Sequence, residues 1–113
     1  MPSIDLRTLP SLPYVYSGTT PATHDTCQII LLPVQRGVQV TIHNRDKASK
    51  TLLVSFDGAL TQGGAAPSMG FSISEPTHIV TDAASGVGFQ PITQMALWSG
   101  SASTTYELLF AAP

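Results

Sequence analysis

Three histidines in this sequence lie close to an acidic residue, an arrangement that can support general acid–base catalysis or metal binding. The pairs are His24 with Asp25, His43 with Asp46, and His78 with Asp82. A metal site needs three or four ligands that converge at about 2 Å, and each pair supplies only two. Cys27 is the only cysteine, which excludes an internal disulfide and a multi-cysteine zinc site. The simpler interpretation places the histidines on polar strand faces and in loops, so we expect no metal and no other cofactor.

The common catalytic signatures are missing from the sequence. It contains no G-x-S-x-G elbow, no Walker A loop and no H-E-x-x-H motif, and GVGFQP lacks the third glycine of a dinucleotide-binding loop. Asp57-Gly58 is typical of a tight turn, because glycine tolerates positive φ and aspartate accepts a hydrogen bond from the backbone just ahead. We therefore expect a protein that is not an enzyme, with Asp57 in a turn.

The basic residues are concentrated in one short region. Four of the five are Arg36, Arg45, Lys47 and Lys50, and no lysine or arginine follows them. No aromatic side chain lies between Arg45 and Lys50, so the base-stacking platform of a single-strand nucleic-acid binder is missing. A net charge of −2 provides no long-range attraction for nucleic acid. We expect Arg45, Lys47 and Lys50 to contact a partner protein, and we expect no nucleic-acid partner.

Short apolar runs separated by turn residues dominate the chain after Cys27, which indicates an antiparallel β fold. The predicted strands are 28–32, 37–43, 51–57, 71–74, 77–81, 95–99 and 105–111, with a further extended segment at 89–93. Strands of this number and spacing predict an all-β fold, either an antiparallel β-sandwich of jelly-roll type or a small barrel. We assign residues 27–113 to this single domain, and we expect the Gly/Ala-rich connection at 58–70 to be exposed.

Two of the predicted strands have a clean alternation of apolar and polar residues. A hairpin between them aligns Val40 with Val54 and Ile42 with Leu52, so that all four side chains share one face. A slip of one residue would turn one apolar set to solvent. We therefore predict a hairpin whose connecting residues, 44–50, form a projecting polar loop.

Residues 1–26 have no sustained period of 2 or 3.6, and prolines interrupt them at four positions. This pattern predicts an extended N-terminal arm rather than a folded element. Fully stretched, the arm could reach roughly 85 Å, which is much longer than the radius of gyration of about 13 Å for a domain of this size. We expect the arm to bind neighbouring subunits through its apolar side chains, which are Leu6, Leu9, Leu12, Tyr14 and Tyr16.

A carbohydrate-binding module is the main alternative, and its candidate residues for stacking on a sugar ring are Trp98, Tyr14, Tyr16 and Tyr106. Trp98 shares its strand face with Ala96, whereas Met95 and Leu97 point the other way. Trp98 therefore either faces solvent or covers a second layer of core, and we expect the second arrangement.

The segments VQVTIHNRDKASKTLLVSFDG and TTYELLFAAP resemble the small β-sandwich accessory proteins of tailed bacteriophage virions, of the decoration or cement type. The resemblance spans residues 34–113. It implies a non-enzymatic capsid decoration protein that binds the major capsid protein or other virion proteins and forms a symmetric homo-oligomer. A head-to-tail or tail component is a second possibility within the resemblance.

The resemblance also implies a location. It places the protein in the virion after synthesis in the host cytoplasm. No run of the sequence approaches 18 apolar residues, so we expect no membrane partner.

Overall fold

The computed structural model describes residues 3–9, 11–33, 39–46, 51–68, 70–73, 77–80, 93–100 and 103–111. These residues form nine strands and no helix. The strands are β1 (Ile4–Asp5), β2 (Tyr14–Thr19), β3 (Gln28–Leu31), β4 (Gln39–Asn44), β5 (Leu52–Ser55), β6 (Phe71–Ile73), β7 (Thr77–Val80), β8 (Gln94–Ser99) and β9 (Thr105–Ala111). The prediction of an all-β fold is confirmed. Within these ranges no helix could cross a membrane.

The strands form two sheets. The five-stranded sheet has the order β1-β3-β8-β5-β6, and the four-stranded sheet has the order β2-β9-β4-β7. Neighbouring strands are antiparallel, except that β1 and β3 are parallel. Strands that follow one another in the chain mostly belong to opposite sheets, and the two sheets enclose a shared apolar core. The architecture is that of a β-sandwich.

The main core lies between the two sheets and contains residues from both. Its members are Leu6, Ile30, Leu32, Val40, Ile42, Leu52, Val54, Ile73, Met95, Leu97, Tyr106, Leu108 and Phe110. Strand β9 shows why the sequence folds this way: Tyr106, Leu108 and Phe110 are buried, whereas Glu107 and Leu109 between them are not. Alternate side chains of a strand point to opposite faces, so the apolar set of each strand selects the face that meets the other sheet.

A second, smaller core lies on the outer side of the five-stranded sheet. It contains Cys27, Ile29, Ala96 and Trp98. Strand β8 is therefore covered on both faces, with Leu97 in the main core and Trp98 in the second one. The continuous apolar run of this strand is typical of a strand buried on both sides.

Residues 57–68 cover the second core. Leu60 and Ala66 pack against it, and the backbone N–H of Cys27 donates to the carbonyl of Gly64 at 3.0 Å. The Gly63 N–H donates in turn to the Cys27 carbonyl at 2.9 Å. The prediction of an exposed connection is therefore wrong for Leu60 and Ala66, which are half-buried.

The predicted hairpin is wrong, because β4 and β5 belong to different sheets. Strand β4 pairs with β7 and β9, and β5 pairs with β6 and β8. Val40 and Val54 are both buried in the main core, but they reach it from opposite sheets. An apolar alternation determines which face of a strand is buried, and two strands can satisfy it either side by side or face to face.

The prediction that residues 1–26 form an extended arm is also wrong for β1 and β2, the two strands within these residues. Strand β1 pairs with β3, and β2 pairs with β9 along its whole length, from Tyr14 with Phe110 to Thr19 with Thr105. Leu6 lies in the main core. Residues 4–5 and 14–19 are therefore parts of the sandwich rather than of an extension that leaves it.

Candidate functional site

The outward-facing side chains of β2, β9 and β4 form one continuous surface on the four-stranded sheet. This surface, called the outer face below, consists of Val15, Ser17, Thr41, His43, Glu107 and Leu109, with Arg45 just beyond the end of β4. The strand register places these residues in two rows. Val15 is opposite Leu109, which is opposite Thr41, and Ser17 is opposite Glu107, which is opposite His43.

The first row is apolar and exposed. The exposed fraction is 58% for Val15 and 39% for Leu109. The two residues are cross-strand partners, so their side chains form a single apolar patch. They line a shallow depression of about 300 Å³ together with Thr41, His43 and Glu107. An exposed apolar patch next to polar groups is typical of a binding surface.

The charged side chains of the outer face belong to the second row and to the neighbouring Arg45. Nδ1 of His43 lies 3.4 Å from Oε1 of Glu107, and Nη1 of Arg45 lies 3.0 Å from Oε2 of the same carboxylate. His43 and Arg45 both favour the ionised form, so they lower the pKa of Glu107 below its usual value. One oxygen of Glu107 therefore already contacts His43 and the other contacts Arg45.

The sequence paired His43 with Asp46, but the structure gives Asp46 another role. Its Oδ2 atom accepts a hydrogen bond from the Thr105 N–H at 2.8 Å, and its own N–H donates to Oδ1 of Asn44 at 2.9 Å. Asn44 is buried at the end of β4 rather than in a loop, and its side chain donates to the Ile73 carbonyl at 3.1 Å. These contacts tie the end of β4 to both sheets.

The structure places one of the three predicted basic contact residues on a described surface. The Arg45 side chain is 54% exposed at the edge of the outer face. Lys47 and Lys50 lie outside the described residues, and so does Arg36.

The five apolar residues predicted to bind partners from the arm have different environments. Leu6 is buried, and Leu9, Tyr14 and Tyr16 pack against the main core. The ring of Tyr14 lies 6.4 Å from that of Phe110, between centroids. Leu12 is exposed. Sequence reasoning missed Val15, although the alternation in YVYSGT, with Tyr14 and Tyr16 on one face and Val15 on the other, is a signal that could have found it.

Trp98 is only 2% exposed, which confirms the prediction that it covers a second layer of core. It therefore does not face solvent as a sugar-stacking residue would. Among the residues that the structure describes, the large aromatic side chain that is exposed is Phe71 of β6, at 69%, which sequence reasoning did not single out. It lines a smaller depression of about 210 Å³ with Phe56 and Gly70.

Among the described side chains, the histidine–acid pairs form separate two-residue contacts. Nδ1 of His24 lies 3.0 Å from Oδ2 of Asp25 on an exposed surface, and Nδ1 of His43 lies 3.4 Å from Oε1 of Glu107. The side chain of His78 and its neighbour Asp82 lie outside the part of the chain that the structure describes. In the part of the chain that the structure describes, no cluster of three or more His, Cys, Asp or Glu side chains could hold a metal.

The surroundings of Asp57 and Cys27 are those of residues that stabilise the fold. Oδ1 of Asp57 accepts a hydrogen bond from the Ala59 N–H at 2.9 Å, which confirms the predicted turn. Cys27 is fully buried, as a small apolar residue would be, and burial raises the pKa of its thiol. A buried thiol with a raised pKa contains little of the nucleophilic thiolate form.

Comparisons of this chain with protein-family models, with curated proteins and with solved structures find no match. The outer face combines an apolar depression, an exposed arginine and an ion-paired carboxylate on one side of a sheet, and this arrangement is suited to binding another molecule.

Proposed function

We propose that this protein is a non-enzymatic structural protein of a virion, a capsid decoration protein with a jelly-roll fold. The strand order is the observation that supports the fold, and the exposed apolar pair of Val15 and Leu109 is the observation that carries the function. When β2–β9 are counted from one to eight, the four-stranded sheet has the order 1-8-3-6 and the five-stranded sheet contains the order 2-7-4-5. This interleaved order supports a jelly roll of eight strands in two sheets. Strand β1 is then an additional edge strand.

Jelly rolls occur in viral capsid proteins, in lectins and in cupins, so the function has to be argued from the surface rather than from the fold. Of the candidate sugar-stacking residues, Trp98 and Tyr106 are buried, and Tyr14 and Tyr16 pack against the main core, which removes the main support for a lectin-like role. The exposed apolar pair of Val15 and Leu109 instead favours contacts with other proteins.

Decoration requires a rigid domain that presents binding surfaces to neighbouring subunits. The sandwich provides rigidity through two cores and through strands that join opposite ends of the chain, such as β2 with β9. The outer face then replaces the N-terminal arm as the surface that binds major capsid or other virion proteins. The symmetric homo-oligomer implied by the resemblance belongs to the same proposal.

The first experiment determines whether the chain is part of the virus particle. Particles of the virus that encodes it are purified through two density gradients and analysed by quantitative mass spectrometry. We expect the chain in a fixed molar ratio to the major capsid protein. Separation of heads from tails then distinguishes decoration of the capsid from a head-to-tail or tail position. Absence of the chain from purified particles would overturn the proposal.

The second experiment tests which surface attaches the chain to the particle. Particles assembled without the chain are mixed with purified protein, and the bound fraction is measured by sedimentation. We expect Leu109→Ser, on the outer face, to reduce binding at least tenfold. Phe71→Ser removes an exposed apolar side chain from the five-stranded sheet and is the matched control. Loss of binding only in Phe71→Ser would instead place the attachment surface at β6.

A further inference from the structure

We propose that the outer face binds an extended segment of a partner protein in which an apolar side chain lies next to a carboxylate. The apolar side chain occupies the depression beside Val15 and Leu109, and the carboxylate binds Arg45. The source of the segment, a neighbouring virion subunit, rests on the proposed function. Its chemistry rests on the outer face alone.

The apolar half of the proposal follows from the first row of the outer face. Val15 and Leu109 are direct cross-strand partners and are both exposed. The depression beside them has a volume of about 300 Å³, with Thr41 on its other side. Covering this patch removes apolar surface from water, which favours association.

The carboxylate half follows from the hydrogen-bonding capacity of the second row. Glu107 is an acceptor whose two oxygens already contact His43 and Arg45. Arg45 has five N–H donors, and its one contact with a described side chain uses Nη1. Arg45 therefore retains N–H donors that Glu107 does not use, and an arginine is well suited to bind a second carboxylate through two parallel bonds.

The size of the outer face favours a segment over a second copy of the domain. The whole outer side of this sheet, with four strands about 4.8 Å apart and about six residues long at about 3.3 Å per residue, presents an area on the order of 400 Å². A stable interface between two folded domains buries about 800 Å² on each partner. An extended peptide of about six residues matches the length of β9 and β4 and needs no larger surface.

The test uses the purified full chain and two small probes that differ in one group. N-acetyl-leucine carries an isobutyl side chain and a carboxylate, and N-acetyl-leucinamide replaces the carboxylate by an amide. Each is titrated into isotope-labelled protein, and backbone amide shifts are followed by NMR. We expect shifts centred on Val15, Thr41, Arg45 and Leu109, with N-acetyl-leucine binding at least threefold more tightly than the amide.

Two variants separate the apolar and charged contributions. Arg45→Gln should remove the preference for N-acetyl-leucine over the amide, whereas Arg7→Gln, which alters an arginine paired with Asp5 at 2.8 Å, should leave it unchanged. Leu109→Ser should weaken both probes by a similar factor. Amide shift maps of the unliganded variants verify that the sheet is intact.

Several results would overturn the inference. These are equal affinity for the two probes, a preference that survives Arg45→Gln, or shifts that do not lie on the outer face. If the NMR shifts of the same amides changed with protein concentration alone, a second copy of the chain would cover the outer face. If they changed on addition of methyl glucoside, the outer face would be a sugar site. The NMR titration uses no virus particle. A negative titration therefore does not contradict the virion proposal, and absence of the chain from purified virions does not contradict a positive titration.

Discussion

The Nη1 atom of Arg45 lies 3.0 Å from the Oε2 atom of Glu107, so the residue after β4 is joined to the neighbouring strand β9. The backbone reinforces this contact, because the Arg45 N–H donates to the Thr105 carbonyl at 2.9 Å. His43 reaches the other oxygen of the carboxylate. The charged row of the outer face is therefore held in place by the same strand pairing that forms the sheet.

Glu107→Gln should make the free energy of unfolding less dependent on pH in acid. His43 and Arg45 hold the pKa of Glu107 below its usual value, so the unfolded chain takes up this proton at a higher pH than the folded one. The stabilisation is fully present above the unfolded pKa, about 4.3, and is lost as pH falls through the lower folded pKa. Urea unfolding at pH 7 and at pH 3 measures the difference. An identical loss of stability in the two proteins would contradict the role assigned to Glu107.

Trp98→Ala should lower the free energy of unfolding by about 3–5 kcal/mol, because it leaves a large cavity in the second core. Phe71→Ala is the control, since Phe71 is 69% exposed and should change stability by less than about 1 kcal/mol. Chemical denaturation measures both. Trp98 is the only tryptophan, so its fluorescence in the folded protein should resist quenching by iodide. A readily quenched signal would show that the ring is exposed.

Gly70→Ala should destabilise the protein by about 1–3 kcal/mol through overpacking. A Cβ atom on Gly70 would lie 2.5 Å from Cη2 of Trp98 and 3.2 Å from the Val54 carbonyl oxygen. The matched substitution Gly58→Ala meets nothing within 4 Å, so it should leave stability within about 0.5 kcal/mol of wild type. Melting temperatures compare the pair. Equal effects of the two substitutions would contradict the close approach of Gly70 to the indole ring.

Leu6→Ala should lower the free energy of unfolding by about 2–4 kcal/mol, because Leu6 is a buried member of the main core. Val15→Ala, in the same N-terminal region but 58% exposed, should have an effect below about 1 kcal/mol. Deletion of residues 1–26 should prevent folding, since it removes β1 and β2 and exposes Phe110. Circular dichroism and NMR test the deletion, and a well-folded truncated domain would show that the N-terminal strands are dispensable.

The strands after Cys27 could be predicted from the sequence to within one or two residues at most ends. Strand β9 was predicted at 105–111, and the structure has Thr105–Ala111. The burial of Trp98 could also be predicted, because Ala96 and Trp98 alternate with Met95 and Leu97. Strands β1 and β2 could not, since β1 has two residues and the prolines around β2 obscured its alternation. Short edge strands depend on their partners for stability, and their own residues carry a weak signal.

The arrangement of the outer face could also be predicted only in part from the sequence. Period-2 alternation within β4 and β9 already implied that His43 and Glu107 point away from the apolar core. Their contact at 3.4 Å joins residues 64 positions apart and arises only from the register of the two strands. The sequence analysis paired His43 with Asp46 because Asp46 is the nearest acidic residue along the chain, and a sequence contains no distances in space.

Val40 and Val54 illustrate what the sequence determines and what only the tertiary structure determines. The sequence by itself determined that both side chains are buried, because each lies at an apolar position of an alternating run and burial of apolar surface drives folding. Only the tertiary structure decided that β4 and β5 belong to opposite sheets. Burial is a property of one strand and its faces, whereas pairing depends on which strand fits best among all the others, and that competition is settled only when the whole chain is packed.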